Sequence, residues 1–267
     1  MIPSQERRET FPNGIEAFFL VVALFGLEYL VGAAFRDAGY FQRYNLSDVS
    51  AVIQLVGNGL LFSGLLAYKR LSYASLFHPA PHSVIATVGT LSLPILLLVP
   101  GLLLAMSAVE SMLVWYFPLS RAEQAMFERM MAPGLGTLVA VCILAPLLEE
   151  MLFRGVILRS FLHQYPRHTA ILASATLFGL AHMNIYQFVV GLALGSLAGW
   201  LYERARSLWP CIFLHSTYNS LIAYLSLTAQ DPPQGLGADL PVIYWFAAAT
   251  AALLGTTMLR RMLGQRT

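Results

Sequence analysis

GTLVAVCILAPLLEEMLFRGVIL, residues Gly136 to Leu158, reads as one membrane-spanning helix interrupted near its middle by three charges, Glu149, Glu150 and Arg154. A chain segment of about 20 apolar residues is what a bilayer core requires. A central charge on such a segment costs roughly 2.5–3.5 kcal/mol on the translocon scale, so three unpaired charges would cost about 8–10 kcal/mol. Charge retained at that cost marks a site of chemistry. Two further apolar stretches carry a histidine, at His182, and a histidine–asparagine pair, at His215 and Asn219.

The surrounding chain places this segment in a polytopic membrane protein. Of the 267 residues, 57% are hydrophobic and 11% charged, and the mean hydropathy is +0.65. A soluble domain carries about 25% charged residues, so this chain cannot cover a water-exposed surface. The fold expected is all-α, a transmembrane bundle of about eight helices. They fall at approximately Ile15–Phe35, Val49–Tyr68, Ser83–Ala108, Gly136–Leu158, Thr169–His182, Tyr186–Tyr202, Leu208–Leu227 and Pro241–Leu259. Pro94 and Pro100 kink the third of these, which neighbouring helices tolerate in a membrane. The amphipathic stretch from Glu110 to Pro133 belongs at the interface. The first apolar run has the length of a true span, so no cleavable signal peptide is expected.

Three parts follow: residues 1–135, with three helices and the interfacial segment; 136–227, with the polar motifs; and 228–267, with an outer loop and the last helix. An N-in, C-in arrangement puts eleven basic residues inside, against Arg36, Arg43, Arg121 and Arg129 outside. That is the sense of the positive-inside rule. Positive charge here sets orientation and implies no nucleic-acid partner. Arg159, His163, Arg167 and His168 read as cytoplasmic anchors. Cys142 and Cys211 lack zinc-site spacing and read as packing residues. Gly191, Gly195 and Gly199, four residues apart, form a close-packing stripe.

On the fourth helix Glu150 and Arg154 are i,i+4 neighbours and can pair, while Glu149 points about 100° away. A buried brace and a separate base are the division of labour this suggests, because desolvation raises a carboxylate's proton affinity toward the range of a general base. Phe178 and His182 share a helical face, as do His215 and Asn219. Together these groups supply a base, two imidazoles and an amide donor for an oxyanion, the kit for hydrolysis. Glu28 and Asn58 read as structural, and Glu110 as a residue at the headgroup level. Tyr186 and Gln187, just after His182, are candidates for substrate contact. The fifth helix is short for a span. His182 and His215 can meet only if it stops short or tilts.

The order of a Glu-Glu-x-x-x-Arg helix, a Phe-x-x-x-His helix and a His-x-x-x-Asn helix resembles the CAAX protease and bacteriocin-processing (CPBP, or Abi) family of intramembrane proteases. The resemblance covers about Val139 to Leu227, and all three motifs match. It implies that residues 136–227 are a catalytic core. Glu149 would activate water, with His182 positioning or sharing its proton. His215 and Asn219 would stabilise the oxyanion, and Glu150 with Arg154 would order the site. Family members are often called metalloproteases, so Glu149, His182 and His215 are possible zinc ligands; a metal-free, glutamate-activated water uses the same residues. The implied partners are the bilayer and a membrane-anchored or lipidated polypeptide substrate, in the plasma (inner) membrane of a bacterium. Two other classes compete: a non-catalytic binding or immunity module on the same fold, and a transporter using the carboxylates as a proton relay. The second predicts internal repeat symmetry, which the two halves do not display.

Overall fold

A computed structural model describes residues 9–130, 133–228 and 241–264, and among these the secondary structure is entirely helical. The principal helices are α1 (Gly14–Asp37), α2 (Leu46–Lys69), α3 (Val84–Tyr116), α4 (Leu135–Gln164), α5 (Arg167–Leu180), α6 (Ile185–Ala205), α7 (Trp209–Thr228) and α8 (Val242–Leu263). Each of the eight expected segments is helical over most of its length. Six of them (α1, α2, α3, α4, α6 and α8) are long and apolar enough to cross a membrane. The 14 residues of α5 rise only about 21 Å, short of a bilayer core of about 30 Å. α7 has 20 residues, but His215, Asn219 and its hydroxyl side chains lower its apolarity. The expected outer loop from Thr228 to Leu240 lies, beyond Thr228 itself, outside the described residues.

Local sequence explains the helix ends. Asn13 caps α1, its side chain accepting from the backbone N–H groups of Ile15 and Glu16 while Glu16 reaches back to the Asn13 N–H; this reciprocal pairing satisfies donors a helix start leaves orphaned. α3 runs eight residues past its expected end at Ala108, to Tyr116, because its apolar pattern continues beyond Glu110. Glu110 therefore lies within α3. The interfacial stretch reduces to a short amphipathic helix, Arg121–Met130, with no buried residue. Ser120 caps it, donating from its hydroxyl and its backbone N–H to Glu123, and these bonds hold the Glu123 carboxyl below the usual carboxylate range.

α4 is the centre of the molecule. Every residue from Met151 to Leu158 is buried, and Leu152, Val156, Ile157 and Leu158 anchor the hydrophobic core. The helix is not uniform: Ala140–Leu144 and Met151–Leu158 are π-helical, with an α-helical stretch at Ala145–Glu150 between them. Such wide turns cluster at functional sites. Pro146 supplies part of the cause. Ala145 bonds back five residues to the Ala140 carbonyl, and Pro146, having no N–H, cannot give the next bond in that register to Val141.

The glycine stripe of α6 packs on α5 and α4. A Cβ on Gly191 would lie 3.0 Å from Gly179 Cα, and one on Gly195 would lie 3.1 Å from both Ala175 Cβ and the Arg154 guanidinium. The stripe is thus scaffold, and it also makes room for Arg154. α8 lies along α3 where Gly101 and Gly255 allow the backbones to touch, a Gly101 Cβ meeting the Ala248 carbonyl oxygen at 2.8 Å. Exposed apolar side chains line α1 and α8, among them Phe18, Phe19, Leu30, Phe246 and Leu253, as faces turned to lipid would be.

Candidate active site

Three helices bring the motif residues together. Glu149, Glu150 and Arg154 come from α4, Phe178 from the last turn of α5, His182 from the turn after it, and His215 and Asn219 from α7. The short α5 is what lets the motifs meet: it ends at Leu180, and Phe178 in its last turn packs edge-on against His215 of α7.

Glu150 and Arg154 form the buried floor. Arg154 Nη1 donates to Glu150 Oε1 at 2.8 Å, with the two side chains 1% and 0% exposed. The same oxygen accepts from His215 Nδ1 at 3.0 Å. An ionised carboxylate only accepts, so Nδ1 carries the proton in this contact and Nε2 is left for the other side. There it lies 3.8 Å from Glu149 Oε2, too far for a hydrogen bond and within reach of a shared water. Cys211, expected as a packing residue, is a buried free thiol, as is Cys142.

Phe178 is the hub, and sequence reading gave it no role of its own. The Arg154 guanidinium sits 4.6 Å over its ring centroid. Its ring also meets Phe153, His182 and His215 edge-on at 5.1, 5.2 and 5.6 Å. Edge-to-face contacts of this kind orient rings as well as burying them. Its place one turn before His182 was the available signal.

His182 does not lie in a helix, in contrast to the expected Thr169–His182 segment. The chain reverses there: Met183 takes a left-handed conformation, φ 55°, and Asn184 begins α6. Asn184 accepts from the Gln187 N–H and donates to the His182 carbonyl at 2.9 Å. His182 Nδ1 lies 3.0 Å from the Phe178 carbonyl oxygen. A carbonyl only accepts, so Nδ1 is the protonated nitrogen and Nε2 of the neutral ring is a free acceptor.

Asn219 Nδ2 donates to the Val141 carbonyl at 2.9 Å, the carbonyl that Pro146 cannot reach in the π register. One amide N–H is thereby used and the second is available.

Above this floor opens a cleft of ≈1220 Å³ lined by Glu149, His182, His215 and Asn219 together with Gln187, Leu194 and others. Glu149, its side chain 31% exposed against 0% for Glu150, is the accessible carboxylate of the pair. Gln187, a candidate for substrate contact, lines the cleft. Tyr186 is buried instead, its hydroxyl donating to the Phe117 carbonyl at 2.5 Å. Among the described residues no group of three or more His, Cys, Asp or Glu side chains is arranged to hold a metal ion. The possible zinc ligands Glu149, His182 and His215 therefore do not fit a preformed metal site as they stand.

A polytopic helical bundle with a partly open cavity above a buried charged floor defines a class of integral membrane protein with polar groups gathered among its helices. Residues 132–221 match the family model described as type II CAAX prenyl endopeptidase Rce1-like, a span containing all seven motif residues from Glu149 to Asn219. The chain is also 29% identical over 108 residues to the Bacillus subtilis (strain 168) protein named "Putative membrane peptidase YdiL". That alignment covers 40% of this chain and 44% of the relative. No solved structure matches. The segment 132–221 is thus similar to the Rce1-like CAAX endopeptidases, over the same stretch as the three-motif resemblance.

Proposed function

We propose that the protein is an intramembrane endopeptidase that hydrolyses a peptide bond of a membrane-anchored or lipidated polypeptide. The observation that carries this reading is the asymmetry of the two adjacent glutamates. Glu150 is fully buried and bonded to Arg154 and His215, while Glu149 is partly exposed to a cleft it shares with both histidines and Asn219. An ion pair made for stability alone needs no second carboxylate beside an open cavity.

In the reaction Glu149 takes a proton from water, with His182 Nε2 accepting a hydrogen bond from the same molecule. The water oxygen bonds to the scissile carbonyl carbon, and the carbonyl electron pair moves to its oxygen. The free N–H of Asn219 donates to that oxyanion, as does His215 Nε2 when its ring carries the second proton. Collapse breaks the C–N bond, and the proton held by Glu149 passes to the leaving nitrogen. Glu150 and Arg154 keep the His215 ring in place. No step is routed through a metal, since the residues form no metal-holding group as arranged.

The cleft walls contributed by Leu103, Val190, Leu194 and Ile222 suit an apolar tail, and entry between helices suits a substrate already in the bilayer. The N-in, C-in orientation and the bacterial plasma membrane belong to the same proposal. The substrate class is tested with purified protein in proteoliposomes and an internally quenched peptide carrying, or lacking, a prenyl group on a cysteine near its C-terminus. Cleavage of the prenylated form alone, abolished by Glu149→Gln, supports lipid-borne entry. Equal cleavage of both forms contradicts it, and cleavage insensitive to Glu149→Gln contradicts the assigned base.

A further inference from the structure

Glu28 and Asn58, read from the sequence as structural, lie beside the candidate base. A second cavity of ≈190 Å³ lies between α1, α2, α4 and the end of α5. Gln54, Ala145, Glu149, Phe178 and His182 line both this cavity and the large cleft. Glu28 and Asn58 line the small one alone. Glu149 and His182 thus stand between two spaces, one in front and one behind.

One polar atom of the rear space has no partner among the described residues. Asn58, 4% exposed, donates from Nδ2 to Glu28 Oε1 at 3.1 Å and to the Gln54 carbonyl at 3.0 Å. Its Oδ1 is buried without a hydrogen-bond partner among the described residues. A buried amide oxygen ordinarily finds a partner, and water is the partner where protein gives none. The contact is closely built: a Cβ on Gly57 would lie 2.7 Å from Glu28 Cγ, so Gly57 is what lets the Glu28 side chain lie against α2. The walls are largely apolar, with Val21, Leu24, Phe25 and Leu148 among them, but two carboxylates, two amides and an imidazole offer water partners, and the volume is room for several waters at about 30 Å³ each.

We propose that this cavity is a water chamber, and that Glu28 is a positioning residue that, through Asn58 and the enclosed water, delivers the hydrolytic water to Glu149 and His182. The inference rests on the hydrolytic reading above. A polypeptide with an apolar tail expels water from the front cleft as it seats, yet each turnover consumes one water molecule. A supply behind the base, separate from the substrate's path, meets that need.

The test combines two readouts. X-ray hydroxyl-radical labelling of the purified protein in detergent reports water beside Phe153, which lines the chamber but not the cleft and is 3% exposed. The wild type is expected to label at Phe153; the double variant Glu28→Leu/Asn58→Leu is expected to lose most of that labelling, and Glu28→Gln to keep it. A merely structural role gives the opposite sign, because a loosened fold raises labelling of a buried ring. In cells, the yield of Glu149-dependent new protein termini is expected to fall about tenfold or more in Glu28→Leu, as for other misplacements of a reacting group, and much less in Glu28→Gln. An unlabelled Phe153 in the wild type, or an undiminished yield in Glu28→Leu, overturns the proposal. Absence of any Glu149-dependent termini instead overturns the hydrolytic reading and the positioning role with it. That failure is distinguishable, since the labelling requires no substrate.

Discussion

His215 is tied through Nδ1 to Glu150 at 3.0 Å, and that single bond sets which ring nitrogen faces Glu149. The same Glu150 oxygen is held by Arg154, so the orientation of the imidazole depends on a guanidinium that never meets the cleft.

Removing that guanidinium is expected to destabilise the fold strongly. Breaking a buried pair by deleting one partner costs about 3–5 kcal/mol, because the remaining charge is left uncompensated. Arg154→Met should therefore lower the midpoint of thermal unfolding in detergent far more than the double change Glu150→Gln/Arg154→Met does. Equal losses in the two variants would show that the pair is not coupled.

Asn219→Ala removes both the bond to the Val141 carbonyl and the proposed oxyanion donor. Loss of one such donor typically lowers a rate by about 10²–10³. Initial rates on a cleaved peptide should fall by that order with KM little changed. A rise in KM with an unchanged rate would place Asn219 in substrate binding instead.

Pro146→Ala offers a separation of stability from activity. It restores an N–H able to bond the Val141 carbonyl in the π register or the Cys142 carbonyl in the α register, and so resets the turn preceding Glu149. The carbonyl that Asn219 now bonds acquires a competitor, and Glu149 is turned relative to the cleft. Thermal stability should hold or increase while the rate falls; a variant fully active and equally stable would mean that the wide turn does not aim the glutamate.

Phe178→Leu preserves much of the buried volume but deletes the ring that the guanidinium and both histidines face. Activity should drop while the protein remains folded by near-UV circular dichroism and gel filtration. Phe178→Ala, which also opens a cavity, should cost about 3–5 kcal/mol of stability. Unchanged activity in Phe178→Leu would deny the ring its orienting part.

The helical class and the Glu150–Arg154 pair were legible in the sequence because both rest on short-range patterns, while the grouping of the three motifs was carried by the resemblance. Apolar runs of span length announce helices, and Glu150 with Arg154 is an i,i+4 pair whether the turn is α or slightly wide. The extension of α3 past Glu110 was missed because one charge looked like a boundary, although apolar residues continue after it. The turn at His182 depends on Asn184 capping α6 and on Met183 in a left-handed conformation, a tertiary choice that a helix-period pattern does not reveal. Glu28 was visible as a charge in a span, but its nearness to Glu149 depends on α1 and α2 meeting α4, which no local signal encodes.

Activation of water by Glu149 for peptide-bond hydrolysis can be followed by isotope. Membranes from cells expressing the wild type or Glu149→Gln, at matched levels, are incubated in 18O-labelled water, and new protein C-termini are identified by mass spectrometry. A set of C-termini that carry the label in the wild type and are absent from the variant is expected. Identical labelled termini in both, with the variant folded, would contradict that role of Glu149 and leave the cleft as a binding site.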